Sequence, residues 1–155
     1  MALVGMTLWI FLLIAAISIW AIAYYLVRPN KETKRRAVAL GLFLLIFDYI
    51  FENIGYQLGL WEASGSIYRL LAPPIEVMVV AFLSGYTYSL IFPKKFDWNI
   101  GLSSSLLIAV VGTAFEAILV GQNLLTYTGG WTSYHALISY FVTFLMLHKV
   151  NSMLK

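Results

Sequence analysis

Five long stretches of this chain carry almost no charge, and that feature limits the folds open to it. The hydrocarbon core of a bilayer, about 30 Å thick, is crossed by roughly 20 apolar residues rising about 1.5 Å each. Stretches of that length run over residues 3–27, 37–58, 72–92, 100–120 and 131–148. Backbone polar groups in lipid must be satisfied within their own segment, so each stretch is expected to be a helix. The fold class is therefore all-α, an integral membrane bundle of five transmembrane helices forming a single domain over residues 1–155. Composition agrees: 61% of residues are hydrophobic and only 11% charged, which excludes a soluble globule. The first stretch lacks a basic leader and is too long for a secretory signal, so it is read as a retained helix.

The charges between the stretches set a direction. Arg28, Lys31, Lys34, Arg35 and Arg36 separate the first two helices, Lys94 and Lys95 the third and fourth, and Lys149 and Lys155 follow the fifth. Only Arg69 falls on the other side. Positive residues in short loops stay in the cytoplasm, so the N-terminus is expected outside and the C-terminus inside. The run from Lys31 to Arg36 is then a topology determinant before it is a lipid site. This placement leaves no basic face for nucleic acid, and the localisation is a multi-pass protein of the cell membrane. Without cysteine the chain has neither disulfides nor a thiolate site.

Both outer loops, at residues 59–71 and 121–130, are rich in glycine and aromatics suited to a membrane interface. Pro73 and Pro74 suit a helix start, while Pro93 and Pro29 mark helix ends.

Ionisable residues within the spans carry the functional question, because each costs roughly 2.5–3.5 kcal/mol to insert and so usually faces protein or a watered cavity. Asp48, Glu52, Glu76, Glu116 and His135 all fall in the outer half of their helices. Asp48, Glu52 and Tyr56 follow one another at four-residue steps and share a helix face. Ser105, Ala109, Gly112 and Glu116 form a stripe of small residues ending in an acid, as close packing in lipid favours. Trp131, His135 and Ser139 align on the fifth helix; Glu76, Val80, Leu83 and Thr87 align on the third. Each acid also has a structural reading. Glu76 suits a helix N-terminus, His135 a bond across a helix interface, and Glu116 a protonated link between helices. The Asp48–Glu52 pair is harder to explain by packing alone, because adjacent carboxylates repel unless a proton or a cation lies between them. Glu62 and Arg69 belong to solvated loop.

These residues lack the spacing of a metal motif, a nucleophile elbow, a P-loop or a dinucleotide fingerprint. No cofactor is called for. The reading favoured is an outer-leaflet polar cavity between helices two to five that holds a small or lipidic ligand. Asp48, Glu52 and Glu76 are its candidate catalytic acids, and Tyr56, Trp61, Glu116, Trp131 and His135 its ligand-binding residues. A membrane lipid or lipophilic small molecule is the expected partner, and assembly as a homo- or hetero-oligomer stays open. Two alternatives stand beside this reading. One is a cofactor-independent isomerase or cyclase in which a desolvated carboxylic acid, Glu52 or Glu76, protonates a polyene near the π faces of Trp61, Tyr56 and Trp131. The other is a structural or partner-binding subunit whose acids only fix helix packing. A proton path is disfavoured, since the inner half offers Ser105, Thr87 and Thr143 but no ionisable partner.

Two resemblances bear on these alternatives. Tyr86-Thr87-Tyr88-Ser89, Gly112-Thr113-Ala114-Phe115-Glu116, the run from Tyr127 to His135 and the closing helix with Phe144 resemble an uncharacterised family of small multi-helix membrane proteins of endospore-forming bacteria. That resemblance covers about residues 75–150 and implies a membrane location without an activity. Asp48, Gly59-Leu60-Trp61 and Pro74-Ile75-Glu76, over residues 47–90, more loosely resemble the lycopene cyclase domain of carotenoid synthesis. That family has a second glutamate where this chain has Val77, and it carries twice a unit of which about one copy is found here. An echo of Phe51-Glu52 before Trp61 in Phe115-Glu116 before Trp131 suggests a degenerate repeat.

Overall fold

Short polar turns fix where two of the helices begin. In the computed structural model, which describes residues 2–66 and 68–154 and the side chains of residues 7–66 and 68–154, α1 spans Ala2–Val27 and α2 spans Lys31–Gln57. Asn30 caps α2 by accepting the Thr33 N–H at 2.9 Å. The basic segment expected as a loop is thus the first turns of this helix. A strand β1 (Trp61–Ala63) follows, then α3 (Ile75–Ile91), which starts three residues later than expected because Pro73 and Pro74 precede it. Asp97 caps α4 (Trp98–Gly121) through the N–H groups of Asn99 and Ile100. A strand β2 (Leu125–Tyr127) leads to α5 (Ser133–Met153), which runs past His148 to carry Lys149 and Asn151 as well. Lys155 lies outside the described residues.

The molecule is mostly helical, as expected, with a short ribbon that the hydropathy pattern did not announce. Residues 7–27, 31–57 and 98–121 form helices long and apolar enough to cross a membrane, and α3 is a shorter apolar helix of 17 residues. β1 and β2 pair antiparallel, Trp61 with Tyr127, Glu62 with Thr126 and Ala63 with Leu125. Ser64 donates to the Asn123 carbonyl at 2.9 Å, and the Trp9 indole N–H to the Ser64 carbonyl at 2.8 Å, so the start of α1 is tied to the ribbon. Apolar pairs extend this tie: Trp9, Trp61, Leu119, Leu124 and Leu125 form one buried cluster.

The register brings out a repeated helix–strand–helix order. A shift of 64 residues, from Glu52 to Glu116, also carries Phe51 to Phe115, the helix end Gln57 to Gly121, and Gly59 to Asn123. The last pair are both left-handed, with φ 64° and 58°. The same shift carries Glu62 to Thr126, its own ribbon partner, so the two strands pair about a two-fold centre. The chain is therefore α1 followed by two helix–strand–helix units. On this shift Trp61 falls on Leu125, whereas the echo seen in sequence sets it against Trp131.

Within the first unit α2 packs on α3, within the second α4 packs on α5; α1 packs on α3, and α2 touches α5. Gly85 makes the α2–α3 approach possible, because a Cβ there would lie 2.6 Å from the Leu40 carbonyl oxygen and 3.0 Å from the Gly41 Cα. Backbone cannot yield as a side-chain tip does. Gly85→Ala should therefore cost about 1–3 kcal/mol, read as a lower Tm of the detergent-solubilised protein, with Gly121→Ala, which meets nothing within 4 Å, as control.

Candidate functional site

Between the two units lies a cavity of about 660 Å³, within the range of small-molecule sites. Its wall on α3 runs from Val77 to Ile91, roughly 20 Å at about 1.5 Å per residue. Most of that length is apolar. Asp48, Glu52 and Glu116 enter it toward the ribbon end, beside Phe51, Trp61, Tyr127, Trp131 and Tyr140. At the opposite end it is closed by Tyr88 and Phe92, whose rings stack at 4.3 Å.

Each acid is held differently. Glu52 accepts the Trp61 indole N–H at 2.8 Å through one oxygen. Trp61 can lie there because Gly55 has no side chain; a Cβ would run into the indole ring. Glu116 accepts the Tyr140 hydroxyl at 2.8 Å on one oxygen and the Tyr127 hydroxyl on the other. Gly112 makes room for Tyr140, whose ring would lie 3.2 Å from a Cβ at that position. The stripe Ser105, Ala109, Gly112, Glu116 thus packs α4 on α5 and ends in the cavity: Ser105 and Ala109 are fully buried. Asp48 has its Oδ2 buried with no hydrogen-bond partner. No Lys, Arg or His side chain lines the cavity among the described residues.

Of the residues proposed from sequence, the structure brings Asp48, Glu52, Glu116, Trp61 and Trp131 to one cavity. Glu76, Tyr56 and His135 do not line it. Glu76 is 1% exposed in the first turn of α3, whereas Val80, Leu83 and Thr87 from the same stripe do face the cavity. Tyr56 is 48% exposed, because four-residue steps drift by about 40° each around a helix of 3.6 residues per turn. His135 stacks on Trp131 at 5.3 Å, accepts or donates to the Thr132 hydroxyl at 2.9 Å, and borders a smaller cavity of about 290 Å³ with Phe47, Phe51 and Ser139. The third helix contributes walls rather than an acid.

Sequence reasoning missed Tyr127, Tyr140 and Phe51. Tyr127 read as an interfacial aromatic, and Tyr140 lies 24 residues from the carboxylate it meets. It also missed an ionisable group at the opposite end. His148 is fully buried, its Nε2 accepts the Asp97 backbone N–H at 3.3 Å, and its Nδ1 therefore donates to the Tyr88 hydroxyl at 3.0 Å. Tyr88 in turn donates to Ser104 at 3.1 Å, and Ser104 to the Gly101 carbonyl at 3.3 Å. Nearby, Arg36 donates to the hydroxyl and the carbonyl of Ser89 at 3.0 and 2.9 Å.

No family model, curated protein or solved structure matches the chain. The site is therefore read on its geometry alone. Burial, and then the Glu116 carboxylate, hold the Tyr127 phenol above the ordinary range for tyrosine. An absorbance titration, taken as the difference from Tyr127→Phe, should place its ionisation above that of free phenol. Glu116→Gln should bring it down, since the neighbouring negative charge is removed.

Proposed function

We propose that the chain is a multi-pass membrane protein of five spanning helices, with its N-terminus and β ribbon outside and its C-terminus in the cytoplasm. We propose further that its cavity binds a lipophilic small molecule or lipid. The five-span reading is supported by the end-to-end separation of charge. Lys31, Lys34, Arg35, Arg36, Lys94, Lys95 and Lys149 belong to the helix ends and turn away from the ribbon, and Arg69 to the loop beside it.

One observation carries the ligand reading. α1 and α4 both line the cavity, and away from the cluster of Trp9 and Leu119 their backbones stay apart among the described residues. The lining residues at this gap, Phe11 and Ile19 on α1 and Leu107 and Val111 on α4, are 58–66% exposed. In a bilayer such side chains face hydrocarbon, so the gap is a lateral doorway from lipid into a space whose far wall bears carboxylates. Water-soluble substrates have no such route through an apolar slit. Apolar walls with a few polar groups at one end suit an amphiphile, which is positioned by its tail and oriented by its head.

Acid catalysis on a polyene, the lycopene-cyclase-like reading, draws support from a separate observation. Glu52 sits among Phe51, Trp61 and Trp131, whose ring centroids lie 4.5–6.3 Å apart. A carboxylic acid there would give its proton to a double bond, the rings would stabilise the resulting carbocation, and loss of a neighbouring proton to the carboxylate would close the step. The donor in this reading is Asp48 or Glu52, because Glu76 does not line the cavity.

Native mass spectrometry of the protein in mild detergent should show a retained lipophilic molecule. Asp48→Asn combined with Glu52→Gln should remove that mass while the folded protein stays in the membrane. Loss of folding in the double variant would instead assign the acids to packing. For the catalytic reading, expression in a lycopene-accumulating host should change the pigment spectrum, and Glu52→Gln should restore it. An unaltered spectrum with abundant protein would count against that chemistry.

A further inference from the structure

We infer that the ligand head group selected by this cavity is an organic cation, an ammonium or similar centre on an extended hydrocarbon tail; this rests on the ligand reading above. The charge balance of the cavity comes first. Both oxygens of Glu116 accept phenol hydroxyls, and one oxygen of Glu52 accepts an indole N–H, a group that can only donate. These are the partners of carboxylates. Asp48 adds an oxygen that is buried and bonded to nothing. Buried charge is ordinarily paired, yet among the described residues no basic side chain lines this space. The ion pairs among the described residues, Arg69 with Glu62 and Lys94 with Glu32, lie at the two ends of the molecule, away from it. The counter-charge is therefore left for the occupant to bring.

Geometry then decides what kind of cation fits. Among the described residues no three Asp, Glu or His side chains come close enough to share one metal ion. A larger cation can touch carboxylates that a metal cannot bridge. The aromatic groups supply the rest of its surroundings. Trp61 and Trp131, 4.5 Å apart with planes at 53°, and Phe51, 5.3 and 6.3 Å from them, pack on one another as one aromatic wall beside Glu52. A weakly hydrated cation such as a quaternary ammonium group is attracted to the ring faces that such a wall presents. Beyond that wall, roughly 20 Å of apolar lining accommodates the tail.

The test uses the intact protein in nanodiscs of uncharged phosphatidylcholine, with dodecyltrimethylammonium, dodecanol and dodecanoate as probes and empty discs subtracted. Tryptophan fluorescence reports occupancy, since Trp61 and Trp131 line the site. Dodecyltrimethylammonium should bind about tenfold or more tightly than dodecanol, and dodecanoate more weakly than either. Glu52→Gln with Glu116→Gln should abolish the preference for the cation while dodecanol binding persists. Trp131→Ala, which leaves every acid in place, should also weaken the cation selectively. Equal binding of dodecanol and the cation by the wild-type protein would overturn the cationic head while sparing the cavity as a lipid site. Failure of all three probes to bind above empty discs would remove both readings, and the wild-type comparison needs no variant to fold.

Discussion

Three residue pairs of antiparallel ribbon hold this molecule's two halves in register. In a chain with helices long and apolar enough to cross a membrane, backbone outside the helices has few places to find hydrogen-bond partners, and β1 and β2 find them in one another. That pairing sets Trp61 opposite Tyr127, and those two side chains turn into the bundle to donate to Glu52 and Glu116. The acids are thus held from the ribbon as well as from their own helices. Thr128 reinforces the junction by donating to the Gly59 carbonyl at 2.6 Å, where Gly129, at φ 55°, has no Cβ to collide with that oxygen.

The repeated helix–strand–helix order shows how one architecture gives a lopsided site. Asp48 in the first unit is equivalent to Gly112 in the second. One position supplies an acid; the other supplies the space that lets Tyr140 reach Glu116. Likewise Trp61 is matched by Leu125, and Tyr127 by Ala63, so each half sends one large hydrogen-bonding ring from a different strand position. A cavity at the seam between two such units inherits paired carboxylates but unlike surroundings for each. The unequal treatment of Glu52, with one donor, and Glu116, with two, follows from that.

Much of this was legible in the residues. Apolar length announced the helices, and the four-residue steps from Asp48 to Glu52 and from Gly112 to Glu116 correctly aimed those acids toward a shared space. Local spacing fails where the partner is remote. Nothing about Tyr140 or His148 marks them until α5 is set beside α4 and the turn at Asp97. The ribbon escaped notice because three-residue strands carry no measurable alternation, and their glycine and aromatic residues equally suit an interfacial loop. Tyr56 lies outside the cavity for the opposite reason. A spacing valid over one turn was extended over two, by which point the helix had rotated the side chain out of the cavity.

The hydrogen-bonded chain from Asp97 through His148 and Tyr88 to Ser104 has a bearing on the cavity that its distance from the acids conceals. The Tyr88 hydroxyl is bonded on both sides and its ring is stacked on Phe92, so this part of the cavity lining is held in place. If the cavity holds a tail as proposed, one anchored by its head at the ribbon end would meet the Tyr88 and Phe92 rings after a fixed number of carbons. Longer chains would have to bend out between α1 and α4. His148, through its bond to Tyr88, would then set the length that is accepted.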